Sequence, residues 1–230
     1  MLHSPVLDAL GRRITGGDLP AGAALTLDGI SAEFAVSRTV AREAMRLLEG
    51  LGLVRSGPRV GIVVLPHDAW NVLDPKVIGW RLDGPGRASQ LRSLTELRQA
   101  VEPLAAAGAA RGASAAVRDE LVAVALRMRM LGEAGQGDGE EFLALDVRLH
   151  TLLLRSCGNE LFGALADVVA VVISGRTHLG LMPAHPAPGT LDAHEAVARA
   201  VAAGDQDAAE AAMARIVREV RGALGRPLAG

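Results

Sequence analysis

The chain has 230 residues, half of them apolar, 22% charged, and a formal net charge of −2. That length allows one large domain or two modest ones with real cores, and the charge excludes a nonspecific nucleic-acid glue. One cysteine, Cys157, excludes an internal disulfide and a cysteine zinc site. With no apolar leader and no apolar run long enough to span a membrane, the expectation is a soluble cytoplasmic protein.

The composition is dominated by alanine, leucine and valine and has no tyrosine, which favours helices packed through small side chains. Basic residues are almost all arginine, Lys76 being the only lysine. Apolar positions Val6, Leu7, Leu10 and Ile14 recur at helical spacing from Pro5 to about Gly16, and a Gly/Pro loop follows through Gly22. A short helix is expected over Gly29 to Ala35. Ser37 then caps the next helix, which Glu49-Gly50-Leu51-Gly52 ends.

That helix is the most informative part of the chain. Taking Val40 as the centre of a face, Ala44, Leu47 and Leu51 fall within roughly 40° of it, with Leu48 at the edge. Arg38, Arg42 and Arg46 lie on the opposite side. Leu53-Val54-Arg55 reads as a strand, Ser56-Gly57-Pro58 as a turn, and Arg59 to Val64 as the returning strand. A solvated amphipathic helix is the commoner fate of an arginine stripe alone. The stripe, the small-residue turn before it and the basic hairpin after it together point to a winged helix-turn-helix in the major groove of DNA.

Residues 1–66 are therefore expected to form the DNA-binding domain and 67–87 a linker, docked by Trp70 and Trp80 and carrying one short helix. Residues 88–225 are expected to form an all-helical bundle. Its helices are expected at 88–111, 114–134, 139–156, 160–180, 190–203 and 206–224, separated by Gly, Asn or Pro clusters. The fold class is mainly α.

In the bundle, polar residues occupy inward positions. Asp146 and His150 are one turn apart among Phe142, Leu143, Leu149 and Leu153. His194 lies among Val197, Ala198 and Val201, and Arg98 among Leu91, Leu94, Val101 and Ala105, with Glu102 beside it. Burying unpaired charge costs several kcal/mol, so three helices each giving up an inward position imply one polar cavity. Arg98 equally suits an ion pair with Glu102 on its own helix, and a lone inward histidine suits a satisfied core residue. Asp146 with His150 is a good half-site for a divalent metal. No histidine neighbours Cys157 or Ser174 in sequence, and no phosphate loop or dinucleotide fingerprint occurs, so catalysis has little support; a metal-dependent helical-bundle enzyme is the remote alternative.

The N-terminal part resembles a GntR-type winged helix, and the helical part resembles the effector-binding (FCD) domain of the FadR-like branch of that family. The residues that carry the resemblance are VSRTVAREAMRLLEGLGLV at 36–54, LTELRQAVEPLAA at 94–106, LDVRLHTLLLRSCGNELF at 145–162 and AHEAVARAVAAGDQDAAEAAM at 193–213. The stretch from Trp70 to Trp80, followed by the Arg98 helix, is most similar to the galactonate-operon repressor group.

The resemblance implies a homodimeric transcription factor, a repressor, on an inverted-repeat operator in double-stranded DNA, released by a small carboxylic acid such as an aldonate. By position, Ser37, Arg38, Thr39 and Arg42 would meet DNA, Arg46 would support them, and Arg59 and Gly61 would form the wing tip. Arg98, Asp146, His150, Ser174 and His194 would contact the acid, Arg98 as carboxylate clamp. Asp146, His150 and His194 match three of the family's four metal ligands. The fourth, a histidine in many relatives, is Ile216 here, so these three are expected to bond a polyol acid directly. The alternative is a Zn or Ni site holding a di- or hydroxycarboxylate. A second departure is Asp28, where the family carries a phosphate-contacting arginine; a carboxylate there repels the DNA backbone.

Overall fold

The computed structural model describes residues 4–57 and 61–224. The chain divides into two compact units, residues 1–90 and 91–230.

The first unit opens with α1 (Ser4–Gly16), then β1 (Ala24–Leu25), α2 (Leu27–Phe34), α3 (Arg38–Gly50), β2 (Val54–Gly57) and β3 (Gly61–Val64). β3 is central in an antiparallel sheet of order β1-β3-β2, with Val54 opposite Val64 and Gly57 opposite Gly61. The β1 strand lies just beyond the loop expected through Gly22 and is too short for any alternation to reveal. β2 runs on through Ser56 and Gly57, where a turn was expected, because the antiparallel register continues that far. Residues 58–60, and with them Arg59, lie outside the described residues.

Local chemistry explains the boundaries. Thr26 caps α2 through Gly29 N–H at 3.0 Å, and Ser37 caps α3 through Val40 N–H at 3.3 Å. Between them Ala35 ends α2 in the left-handed region, φ 51°, and this makes the tight helix-to-helix turn. Gly52, at φ 74°, turns the chain from α3 into the sheet, where any Cβ would meet the Ala69 carbonyl oxygen.

One expectation about α3 is corrected. Its buried face is Ala41, Ala44, Met45 and Leu48, while Leu47 is 36% exposed. That face is rotated roughly 90° from the one centred on Val40. The reason is tertiary: α3 packs against α1, α2 and β2 together, so its core side is set by three neighbours.

After a single 3-10 turn at His67–Ala69, α4 (Pro75–Asp83) returns to pack on α1 within the same unit. Trp80 is buried against Gly11, where a Cβ would come within 2.5 Å of the indole ring. The indole N–H donates to Asp8 Oδ1 at 3.2 Å.

Every element among the described residues of the second unit is a helix: α5 (Arg87–Gly112, beginning in the first unit), α6 (Ala115–Glu133), α7 (Glu140–Ser156), α8 (Glu160–Ala164), α9 (Ala166–His178), α10 (Pro188–Ala203) and α11 (Gln206–Leu224). The single helix expected over 160–180 is two, separated at Leu165, two residues after Gly163. α10 packs on α6 and α11, and α7 on α6 and α9. The main core draws Ala106, Ala109 and Ala110 of α5, and Ala113 just after it, together with Leu121, Met128, Leu149, Leu153, Val197 and Met213. Alanine on α5 lets backbones approach closely: a Cβ on Gly108 would come within 2.5 Å of the Cys157 carbonyl oxygen.

Candidate nucleic-acid interface and buried polar cavity

Arg38, Arg42 and Arg46 are exposed on α3, as is Thr39. The three arginines, Glu49, Ser56, Gly57, Gly61 and the start of α2 line one concavity of about 630 Å³. The hairpin is tied to the helix by Glu49, whose Oε1 accepts from Ser56 N–H at 2.8 Å. Ser37 points its hydroxyl into its own helix as a cap, leaving its contribution to binding at the helix N-terminus. Gly61 is exposed with φ 75°, a conformation suited to a tight hairpin end.

Asp28 does more than face the groove. Its Oδ1 lies 3.0 Å from Arg38 Nε, so the carboxylate holds one of the arginines at the N-terminus of α3. Both side chains are well exposed, and such pairs contribute at most about 1 kcal/mol.

In the second unit, five helices bring polar side chains to a cavity of about 160 Å³. Arg98 comes from α5, Asp146 and His150 from α7, Arg176 from α9, His194 and Thr190 from α10, and Ile216 and Glu219 from α11. The segment between α9 and α10 covers it with Leu181, Met182, Pro183 and Pro186. That segment is fastened by Gly137 N–H donating to the Ala184 carbonyl at 2.8 Å.

Arg98, Asp146, His150 and His194 therefore meet as the helical spacing implied. Ser174 is not among the residues lining the cavity. On α9 it is Arg176 that reaches it, because the helical turn carries residue 176 to the cavity side. The sequence reading missed Arg176, Thr190 and Glu219. The signal available for Arg176 was an arginine one turn after the apolar pair Val172 and Ile173, both buried.

The Arg98–Glu102 pair forms on one helix: Nε donates to Oε1 at 2.5 Å and Nη2 to Oε2 at 3.4 Å. Both side chains are 2% exposed. Glu102 Oε2 also lies 2.6 Å from His150 Nδ1. Burial raises the Glu102 carboxyl, but the guanidinium and imidazole outweigh it and hold its pKa down at about 2. Burial likewise pushes His150 down, yet Glu102 and Asp146 raise its pKa to about 9. Asp146, desolvated but facing both histidines, sits well below the usual carboxylate range.

His194 Nδ1 lies 2.7 Å from the Thr190 carbonyl. A carbonyl only accepts, so Nδ1 carries a proton and Nε2 is the ring nitrogen turned to Asp146. That Nε2 and His150 Nε2 each lie 3.3 Å from Asp146 Oδ1. Asp146 Oδ1 and His194 Nε2 are buried without a hydrogen-bond partner. A carboxylate oxygen and an imidazole nitrogen this close are held together by a proton or a cation between them.

This donor set fits a divalent cation. One ligand atom each from Asp146, His150 and His194 lies within 4.8 Å of the others. The opposite ring nitrogens rest near a carboxylate and a carbonyl, the arrangement that orients metal-binding histidines. Ile216 lines the same cavity and offers no fourth donor, which leaves positions for water or ligand oxygens.

Comparison with known proteins agrees with both units. Residues 2–64 match the bacterial regulatory protein model of the gntR family, and residues 93–219 match the FCD domain. The galactonate operon transcriptional repressor of Escherichia coli strain K12 is 31% identical over 215 residues, covering 92% of this chain and 89% of that protein. The uncharacterized HTH-type transcriptional regulator YieP of the same organism is 26% identical over 212 residues, covering 92% and 90%. Among solved structures, the Listeria monocytogenes protein Lar aligns at TM-score 0.58 and 18% identity, covering 97% of this chain and 96% of that one. That likeness is one of fold. Among the described residues, no helix is long and apolar enough to cross a membrane. The chain belongs to the gntR family of bacterial regulatory proteins, carries an FCD domain, and is a transcriptional regulator rather than an enzyme.

Proposed function

We propose that the protein is a homodimeric repressor that binds an inverted-repeat operator and is released by a small hydroxycarboxylic acid, such as an aldonate, entering the helical domain. The observation that carries this reading is the set of buried, unpartnered polar atoms on one cavity: Arg98 Nη1, Arg176 Nε, Asp146 Oδ1 and His194 Nε2. Unsatisfied buried polar atoms cost roughly 1–3 kcal/mol each, so together they favour a ligand with both anionic and hydroxyl oxygens. The cavity is smaller than the ~300–1,000 Å³ pockets of drug-sized ligands, which suits a compact acid. The 31% identity to a galactonate operon repressor supports the aldonate class.

On the DNA side, Arg38, Thr39 and Arg42 would meet bases and phosphates, with Arg46, Ser37 and the wing residue Gly61 supporting them. An arginine bidentate to guanine contributes about 1–3 kcal/mol of discrimination. Residues 1–66 act as the reader and 88–225 as the sensor in this scheme. The test is a gel shift of the promoter fragment upstream of the protein's own gene, titrated with galactonate. Release by the acid is expected; binding indifferent to every sugar acid overturns the aldonate reading.

A second reading is favoured by the convergence of Nε2 atoms on Asp146. Asp146, His150 and His194 would hold a Zn or Ni ion, which supplies positive charge for a carboxylate or hydroxyl oxygen. Elemental analysis separates the readings: about one tightly held metal per chain supports this one.

A further inference from the structure

Two guanidinium groups line the same cavity, and they are not equivalent. Arg98 gives Nε and Nη2 to Glu102, leaving Nη1 as its one unpartnered nitrogen. Arg176 is 8% exposed, and its side chain makes no hydrogen bond or ion pair with any described residue. Its planar fork of N–H donors is therefore intact.

We propose that Arg176 is the residue that grips the ligand's carboxylate in two-point fashion, and that Arg98 is a positioning residue which fixes Glu102 and, through it, His150. The proposal rests on reading this cavity as the effector site. A carboxylate pairs most strongly with two parallel N–H donors; Arg98 has already given its Nε–Nη2 side, and the balance of its charge, to Glu102, whereas Arg176 keeps every side-chain donor for a ligand. Arg98 Nη1 remains to support the ligand, through a second carboxylate oxygen or an adjacent hydroxyl.

The surroundings of Arg176 agree. The charged groups that act on it are Arg98, Asp146 and Glu219. Asp146 faces His150 and His194 at 3.3 Å. Glu219 is exposed and accepts from Thr190 Oγ1 at 2.7 Å. Neither carboxylate is within ion-pair reach of Arg176. Burial, joined by the Arg98 charge and opposed by Asp146 and Glu219, holds its pKa down at about 10. A cation buried this far without a partner destabilises the ligand-free protein, and an entering carboxylate removes that cost. The Thr190 hydroxyl oxygen and the Glu219 carboxylate then line the same cavity as acceptors for hydroxyl groups, which assigns the ligand class as a short-chain hydroxy acid bound carboxylate-first toward α9.

The test uses the full-length protein, calorimetry and thermal melting. The probes are galactonate, gluconate, lactate, malate and citrate, with galactono-lactone as the uncharged control. Arg176→Gln is expected to weaken the acid that binds wild type on the order of 10- to 100-fold, the range for one charge-assisted carboxylate pairing. Arg176→Lys restores only part of it, since an ammonium keeps charge without the fork. Lactone affinity is expected to be the same in wild type and Arg176→Gln. Without ligand, Arg176→Gln is expected to melt at or above the wild-type temperature. Acid affinity within about threefold of wild type in Arg176→Gln overturns the proposal. So does a lower melting temperature in the ligand-free variant, because it makes Arg176 structural. If none of the acids shifts the wild type, the effector reading itself falls and takes the proposal with it.

Discussion

Arg98 and Glu102 lie one helical turn apart on α5, both 2% exposed, and their pairing is the hinge on which the polar cavity turns. The carboxylate that neutralises Arg98 also stands 2.6 Å from His150 Nδ1, so one ion pair on one helix sets the orientation of a cavity imidazole on another. It also limits what Arg98 has left to offer a ligand.

Breaking this pair on one side is expected to be costly. Glu102→Leu leaves a fully buried guanidinium without its partner and is expected to lose about 3–5 kcal/mol. The double variant Arg98→Met/Glu102→Leu is expected to recover most of that loss. Urea unfolding of the two singles and the double measures the coupling; strictly additive losses would show the pair is not energetically linked.

Arg42→Ala removes an exposed cation from the α3 concavity without touching the core. Operator affinity is expected to fall, and the slope of log affinity against log salt to flatten by about 1. Fluorescence anisotropy at several salt concentrations reads both. Unchanged affinity and slope would remove Arg42 from the interface.

Gly11→Ala places a methyl group against the Trp80 ring, where the nearest ring carbons are 2.5 Å from the Cβ position. Both sides of the contact are fixed, α1 on one and a 4%-exposed indole on the other. A loss of about 1–3 kcal/mol is expected, as for other overpacked cores. Tryptophan fluorescence during denaturation follows it; a neutral substitution would mean α4 shifts freely on α1.

Ile216→His tests the metal reading directly. Ile216 lines the cavity with Asp146, His150 and His194, so a histidine there adds the donor that the other three lack. Zinc affinity in a competitive chelator titration is expected to rise tenfold or more, on the order of the effects seen for ligand-shell changes. His194→Ala is expected to abolish it. A zinc affinity indifferent to both substitutions assigns the three residues to hydrogen bonding.

Much of the architecture was written in local pattern. Ser37 and Thr26 are caps because their hydroxyls replace missing helical acceptors, and such signals are confined to a few adjacent residues. The inward placement of Asp146, His150, His194 and Arg98 follows from helical period alone, since polar side chains inside an apolar stripe have one direction to point. The turn of α3 was not legible. Its core face depends on three packing partners at once, and its own stripe of small and branched residues tolerated a rotation of roughly 90°. The break at Leu165 was not read either, because a lone Gly163 within an apolar helical run is tolerated in many helices.

By itself, then, the sequence determined that a helix-turn-helix precedes a helical bundle with a polar interior, because periodicity and capping are local physics. Only the tertiary structure decided which donors in that interior remain free. Glu102 occupies two nitrogens of Arg98 and approaches His150, whereas the Arg176 side chain meets no partner among the described residues. Satisfaction of a buried charge depends on what the other helices bring within about 3 Å, and no spacing within one helix carries that information.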